Sequence, residues 1–435
     1  MPPGRPGARV TGGEQYLFAP RSVSDNGIVV LSPPLHHAVV TAQLTGPVTV
    51  ASQTALENVL KQLETQGLLD FTASGGGVTF AWGKPYFNKL PSALVARYMP
   101  VDKVATANAG ATVPALLDAV AFASDPSSVI LESNDLAVVV ASDSLDHVNT
   151  LITTIFNGAT SGLFHVTSIR RGFVDATRLG TNGQSLTKQL AVAAGVPGAS
   201  SIPDQAQLFL GFTSTQRDAL APSNMASLET VPGLTDQFPG GYFARGTTMH
   251  LSHLKEDIPT WYAQSYASRV GAAFSARHPV DPHAPITVPV RPEREDAVRD
   301  ELRRSGYIGH SSSMQPISRV AEDMVDNYGV PWHRGTPIAL RADFNTLDNP
   351  FAYSANPSAD GFSTTPATGL HFVVYMPTSD MFHRMRRAMD GQYADGNLGA
   401  AAVKGPFNKV LTTTHRQNFL VPPKAHRSFP LAELL

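Results

Sequence analysis

Fourteen histidines and no cysteine limit the chemistry open to this chain of 435 residues. Without thiolates there can be no disulfides, zinc ribbons, iron–sulfur clusters, thiolate-held haem or cysteine nucleophile. A transition metal would have to be held by imidazole or carboxylate. His36 and His37 are adjacent, so on a strand they point to opposite faces, and His250 and His253 do the same in an extended segment. Neither pair makes a two-histidine metal site. His383, Arg384, Arg386 and Arg387 read as a solvated helix face, or at most an anion patch. Gly75, Gly76 and Gly77 read as a turn. The sequence has no phosphate-binding P-loop, no G-x-G-x-x-G between strand and helix, no H-E-x-x-H and no G-x-S-x-G.

The elements that must position such groups are marked off by 35 glycines and 34 prolines, which fall in clusters. Residues 28–44 read as strand broken at Pro33-Pro34. Residues 52–69 carry Leu56, Val59, Leu60 and Leu63 at helical spacing behind Ser52 as N-cap. A strand over 78–87 runs into a Gly-Lys-Pro turn, and a helix is expected over Pro114–Ala123. A β-branched run (128–143) precedes an amphipathic helix (144–158). The second half repeats the pattern: a strand over 241–254, a helix after Pro259, a buried strand over 369–377, and a capped helix ending at Gly391. Two α+β units of ferredoxin-like type follow, packed sheet to sheet. The boundary falls near residue 235, in VPGLTDQFPGG (231–241), giving an N-terminal half 1–235 and a C-terminal half 236–435. The Pro-, Arg-, His- and Ser-rich stretch 275–335 reads as a long loop of the functional or disordered kind.

A formal net charge of −2 excludes bulk attraction to nucleic acid or an anionic membrane. No run approaches 18 apolar residues, and the first fifteen lack the apolar core of a signal peptide. A soluble, cytoplasmic protein acting on a small molecule is expected.

Four segments in order carry a resemblance. They are AWGKPYF (81–87); RRGFVDATRLG through LFLGFTST (170–215); GGYFARGTTMHLSHLKEDIPTWY (240–262); and GYIGHSSSM (306–314) followed by VPWHRGTP (330–337) and GLHFVVYMP (369–377). From about residue 28 to 425, by order and spacing, the succession resembles the dye-decolourising-type (DyP) haem peroxidase superfamily. That resemblance implies an α+β fold, a dimeric α+β barrel of two ferredoxin-like halves with antiparallel sheets and long inserted loops. It also implies haem b and hydrogen peroxide chemistry on a small organic substrate, and leaves a homo-oligomer open.

The resemblance implies His310 as the proximal haem ligand, since a neutral imidazole is the usual axial donor where no cysteine exists. Asp380 is its implied carboxylate partner. The family's Gly-Phe-x-Asp-Gly motif falls on Gly211 to Thr215, so Ser214 replaces the acid/base Asp. The distal Arg position falls on His333 in an ungapped alignment, with Arg334 beside it. His333, Arg334 and Ser214 are therefore the implied catalytic set. Phe243, Met249, Leu251, Phe372 and Val374 are candidates for the haem slot, and Arg291, Arg294, Arg319 and Arg341 for the propionates. The Ser214 exchange leaves two further readings open: a haem lyase resembling aldoxime dehydratases, in which His333 protonates the leaving oxygen of an N–O substrate, and a non-catalytic haem-binding relative. The C-terminal segment reads either as a crossing onto the barrel or a neighbouring subunit, or as a closing strand and tail.

Overall fold

The computed structural model describes residues 13–15, 21–70, 72, 75–175, 183–222, 226–280, 294–347, 365–393, 396–397 and 405–435. The propionate candidate Arg291 lies outside them. The first half is built from strands β1 (His36–Leu44), β2 (Gly77–Gly83), β3 (Leu136–Ser142) and β4 (Phe164–Phe173). They lie in the spatial order β4-β1-β3-β2, all antiparallel. Helix α1 (Val50–Thr65) links β1 to β2, and α2 (Leu145–Phe156) links β3 to β4.

The second half repeats the scheme with β5 (Thr247–Glu256), β6 (Phe344–Leu347), β7 (Thr368–Met376) and β8 (Leu411–Val421) in the order β8-β5-β7-β6. Helix α3 (His310–Ser318) lies between β5 and β6 in sequence, and α4 (Ser379–Met389) between β7 and β8. The halves join edge to edge, β6 to β4 through Asn345↔Phe173, and β8 to β2 through Phe419↔Gly83 and Leu420↔Trp82. The eight strands thus close a ring, an α+β barrel with helices on its outside.

Local chemistry explains most of these elements. The Leu56, Val59, Leu60 and Leu63 stripe of α1 is buried as its spacing requires. The cap is Thr49 rather than Ser52: the Thr49 hydroxyl accepts the Ser52 N–H at 3.1 Å, so the helix starts three residues earlier. Ser144 caps α2 in the same way. Pro114–Ala123 is not a helix. Pro114 bridges Val101, the Ala115 N–H donates to Pro100, and the Ala115 carbonyl accepts from Ser379, so these backbone groups are committed to distant partners. Among its described residues, the stretch 275–335 holds two helices, Glu295–Ser305 and α3, where a loop was expected.

Residues 427–431 cross onto the first half. The Trp82 indole N–H donates to the Arg427 carbonyl and the Tyr86 hydroxyl to that of Pro430, both at 2.9 Å. The Arg427 guanidinium pairs with Glu57 and Glu64 on α1. Phe429 and Leu431 are buried in the same core as Trp82 and Tyr86. Among the described residues, no helix is long and apolar enough to cross a membrane.

Candidate active site

Strand alternation divides the second-half sheet into two faces. On β7, Leu370, Phe372 and Val374 line a cavity, whereas His371, Val373 and Tyr375 do not. Ser252, Leu254 and Glu256 of β5 share the cavity wall, and Phe382, Met385, Arg386 and Met389 of α4 cover it. Leu208, Leu210 and Phe212 close one end, with Phe274 and Phe407. The space, its solvent-open mouth included, is about 1660 Å³. Of the residues expected in an apolar slot, Phe372 and Val374 line it. Phe243, Met249 and Leu251 are fully buried and contribute to other parts of the core.

His310 is the first residue of α3 and sits in the cavity wall. Its position is fixed from behind. The buried Glu301 accepts the Gly309 N–H at 2.9 Å and the Ala276 N–H at 2.6 Å through one oxygen, and the Ser312 N–H donates to the Phe274 carbonyl at 2.8 Å. The imidazole lies against the Phe407 ring, with centroids 4.4 Å apart. Its Nδ1 is buried and has no hydrogen-bond partner. Burial, reinforced by the charges of Arg341 and Arg386, pushes its pKa down to about 3. The ring is therefore neutral near pH 7, with a lone pair free for a Lewis acid.

A polar cluster faces the cavity from the strand side. Arg341, on the short strand Leu340–Arg341 beside β7, and Asp343, two residues on, both line it. Ser214 joins them from the 207–216 loop: its hydroxyl donates to Asp343 Oδ2 at 2.9 Å, and its carbonyl accepts from Arg341 Nη2 at 2.7 Å. Asp343 Oδ1 is buried without a partner. Arg319 lines the cavity while donating to the carbonyls of Asp218 and Gly335. At the far edge, Arg416 pairs with Asp125 at 2.6 Å, and Arg386 contacts Ser124, Asp125 and Asp390. Burial, with Asp125 opposing and Arg386 adding to it, lowers Arg416 to about 10.

The structure brings His310, Ser214, Arg319 and Arg341 to one cavity and leaves four other expected residues, His333, Arg334, Asp380 and Arg294, outside it. The His333 side chain is 64% exposed and faces Asp323 at 3.6 Å. Arg334 is exposed on the same turn. Asp380 pairs with Arg384 one turn along α4, at 2.9 Å, so the His310 Nδ1 receives no carboxylate. Arg294 pairs with Glu322 at the surface. Sequence reasoning missed Asp343, Arg386 and Arg416. The Arg341-x-Asp343 alternation, which places both side chains on one face of an extended segment, was the available signal for Asp343.

The fold is the one seen in solved DyP-type peroxidases. The DyP-type peroxidase from Cellulomonas bogoriensis superposes with a TM-score of 0.55 at 17% identity, over 95% of this chain and 98% of that one. The encapsulated enzyme from Mycobacterium smegmatis gives 0.53 at 13%, over 92% and 96%. The dye-decolorizing peroxidase from Bacteroides thetaiotaomicron gives 0.51 at 11%, over 97% and 98%. No curated protein matches the sequence. Residues 34–423 match the model of a family of unknown function, DUF7405, and the chain belongs to that family.

Proposed function

We propose that this protein is a divergent DyP-type haem b oxidoreductase that uses hydrogen peroxide on a small organic substrate. One observation carries the reading. A neutral, buried imidazole with no hydrogen-bond partner stands in the wall of a mostly apolar cavity that also holds several arginines. Those residues suit a flat, apolar, doubly acidic group with one open metal position. His310 would hold the iron. Of the four cavity arginines, Arg319 and Arg386 would meet its carboxylates. Phe372, Val374 and Met385 would exclude water from its faces. When bound, haem b supplies a redox-active iron that can take oxidising equivalents from peroxide.

The remaining chemistry belongs to the chain. His310 stays unprotonated well below neutral pH and keeps its donor electrons free. Arg341, held by the Ser214 carbonyl, places a fixed positive charge in a low-dielectric space, where it favours any anion formed there. The dehydratase reading depends on His333 as proton donor, and no observation in the cavity favours it.

Titration of the purified protein with haemin tests the reading. An intense Soret band should develop with one equivalent, and His310→Ala should lose it. An identical band and affinity in His310→Ala would overturn the assignment. The loaded protein should then consume peroxide in the presence of a small phenolic reductant.

A further inference from the structure

We propose that Asp343 is the proton acceptor of this cavity, the group that removes a proton from a neutral acid such as hydrogen peroxide. The inference rests on the haem reading above and deepens it.

Asp343 is 5% exposed, yet only one of its two oxygens is satisfied. Oδ2 accepts from the Ser214 hydroxyl, whereas Oδ1 is enclosed and unpaired in a residue that lines the cavity. Leaving a buried acceptor unpaired is unfavourable, and a ligand that donates a hydrogen bond to it would relieve that.

The surroundings prepare the carboxylate for this role. Ser214 is pinned on both sides of its peptide: its N–H donates to Gln207 Oε1 at 2.7 Å, and its carbonyl accepts from Arg341. Its hydroxyl has one proton, which is directed at Asp343 and fixes the orientation of the carboxylate. Ser214 is thus a positioning residue.

The other polar groups are poorly suited to the task. His310 would be taken up by the iron, the arginines do not give up protons under ordinary conditions, and the other carboxylate, Glu256 on β5, lacks the Ser214 and Arg341 contacts that surround Asp343. The step is a proton transfer and nothing more. The O–H bond of the peroxide breaks, an O–H bond forms on Asp343, and the hydroperoxide anion is left beside the Arg341 cation. One negative charge moves from carboxylate to ligand.

Cyanide provides a test free of turnover, because hydrogen cyanide must also lose a proton to bind iron as an anion. Wild type and Asp343→Asn would be loaded with haemin and mixed with cyanide in a stopped-flow spectrometer. Both should show the same Soret band before mixing, and Asp343→Asn should bind cyanide about 100-fold more slowly, the lower end of what a positioned base contributes. Equal rates would overturn the proposal and leave the haem reading standing. A wild-type protein that takes up no haemin would remove both, and that failure is seen before cyanide is added. Should Asp343→Asn not fold, Asp343→Glu keeps the charge but moves it by one methylene. A rate at least about tenfold below wild type supports the role, and an unchanged rate overturns it. A collapse in Glu256→Gln with none in Asp343→Asn would shift the role to the cavity's other carboxylate and overturn it as well.

Discussion

A single methyl group behind His310 should be enough to disturb the site. A Cβ added at Gly309 would lie 2.3 Å from the Phe274 carbonyl oxygen, 2.5 Å from its carbon and 2.7 Å from the Ser275 Cα, where ordinary contacts begin at 3.4 Å. All three are backbone atoms, so no flexible side chain can swing away. Gly309→Ala therefore forces α3 to retreat by about 1 Å, an overpacking that typically costs roughly 1–3 kcal/mol. The displaced segment carries the Gly309 N–H held by Glu301 and the Ser312 N–H held by Phe274, so the start of the helix shifts as a unit. Misplacing a metal ligand's support commonly weakens affinity by about 10–100-fold. Urea unfolding and haemin titration by Soret absorbance would be run on the same preparation. Wild-type stability together with wild-type haemin affinity would refute the claim that this contact sets the imidazole's place.

Two further outcomes follow from burial and exposure. His37 is buried, its pKa lowered to about 4 mainly by desolvation against the hydrogen bond to Pro34. The unfolded chain takes up a proton below about 6.5 and the folded one does not until about 4, so stability falls as pH drops through that window. The loss between pH 7.5 and 4.5 should be about 2–3 kcal/mol, and His37→Gln should flatten the pH dependence of urea unfolding by that amount; an unaltered slope would contradict it. His333→Ala and Arg334→Ala remove exposed side chains away from the cavity, so stability should stay within about 0.5 kcal/mol and haemin uptake should not change. A lost Soret band in either variant would return those residues to the site.

Periodicity and composition were enough for much of the fold's repeated scheme, because β1, β2, β3, β5 and β7 and helices α1, α2 and α4 announce themselves locally, whereas β4, β6 and α3 do not. The α1 stripe and the α4 end at Gly391 are of this kind. The stretch Pro114–Ala123 shows the limit, since its backbone partners, Pro100 and Ser379, lie outside any local window. The site was legible only in part for the same reason. His310 and Ser214 follow from short segments whose order is kept. The cation's place does not follow from spacing: an ungapped count lands on His333, in an exposed turn, whereas Arg341 reaches the cavity because it pairs beside β7. Arg386 and Arg416 were invisible as site residues, because α4 and β8 meet at the cavity only once the sheet has formed.

The seams of the ring hold a last consequence. Within each half the strands pair along most of their length, whereas β4 meets β6 through one residue pair and β2 meets β8 through two, with Ile130 and Leu131 adding two parallel pairs to β8. So few ladder hydrogen bonds make these edges the low-energy route for sub-global opening. The arm at 427–431 spans this weakness like a buckle, fastening α1 and β2 from a position 345 residues away in the chain at its Trp82 contact. Releasing that buckle would leave the two sheets held by those few pairs and by the apolar side chains they share.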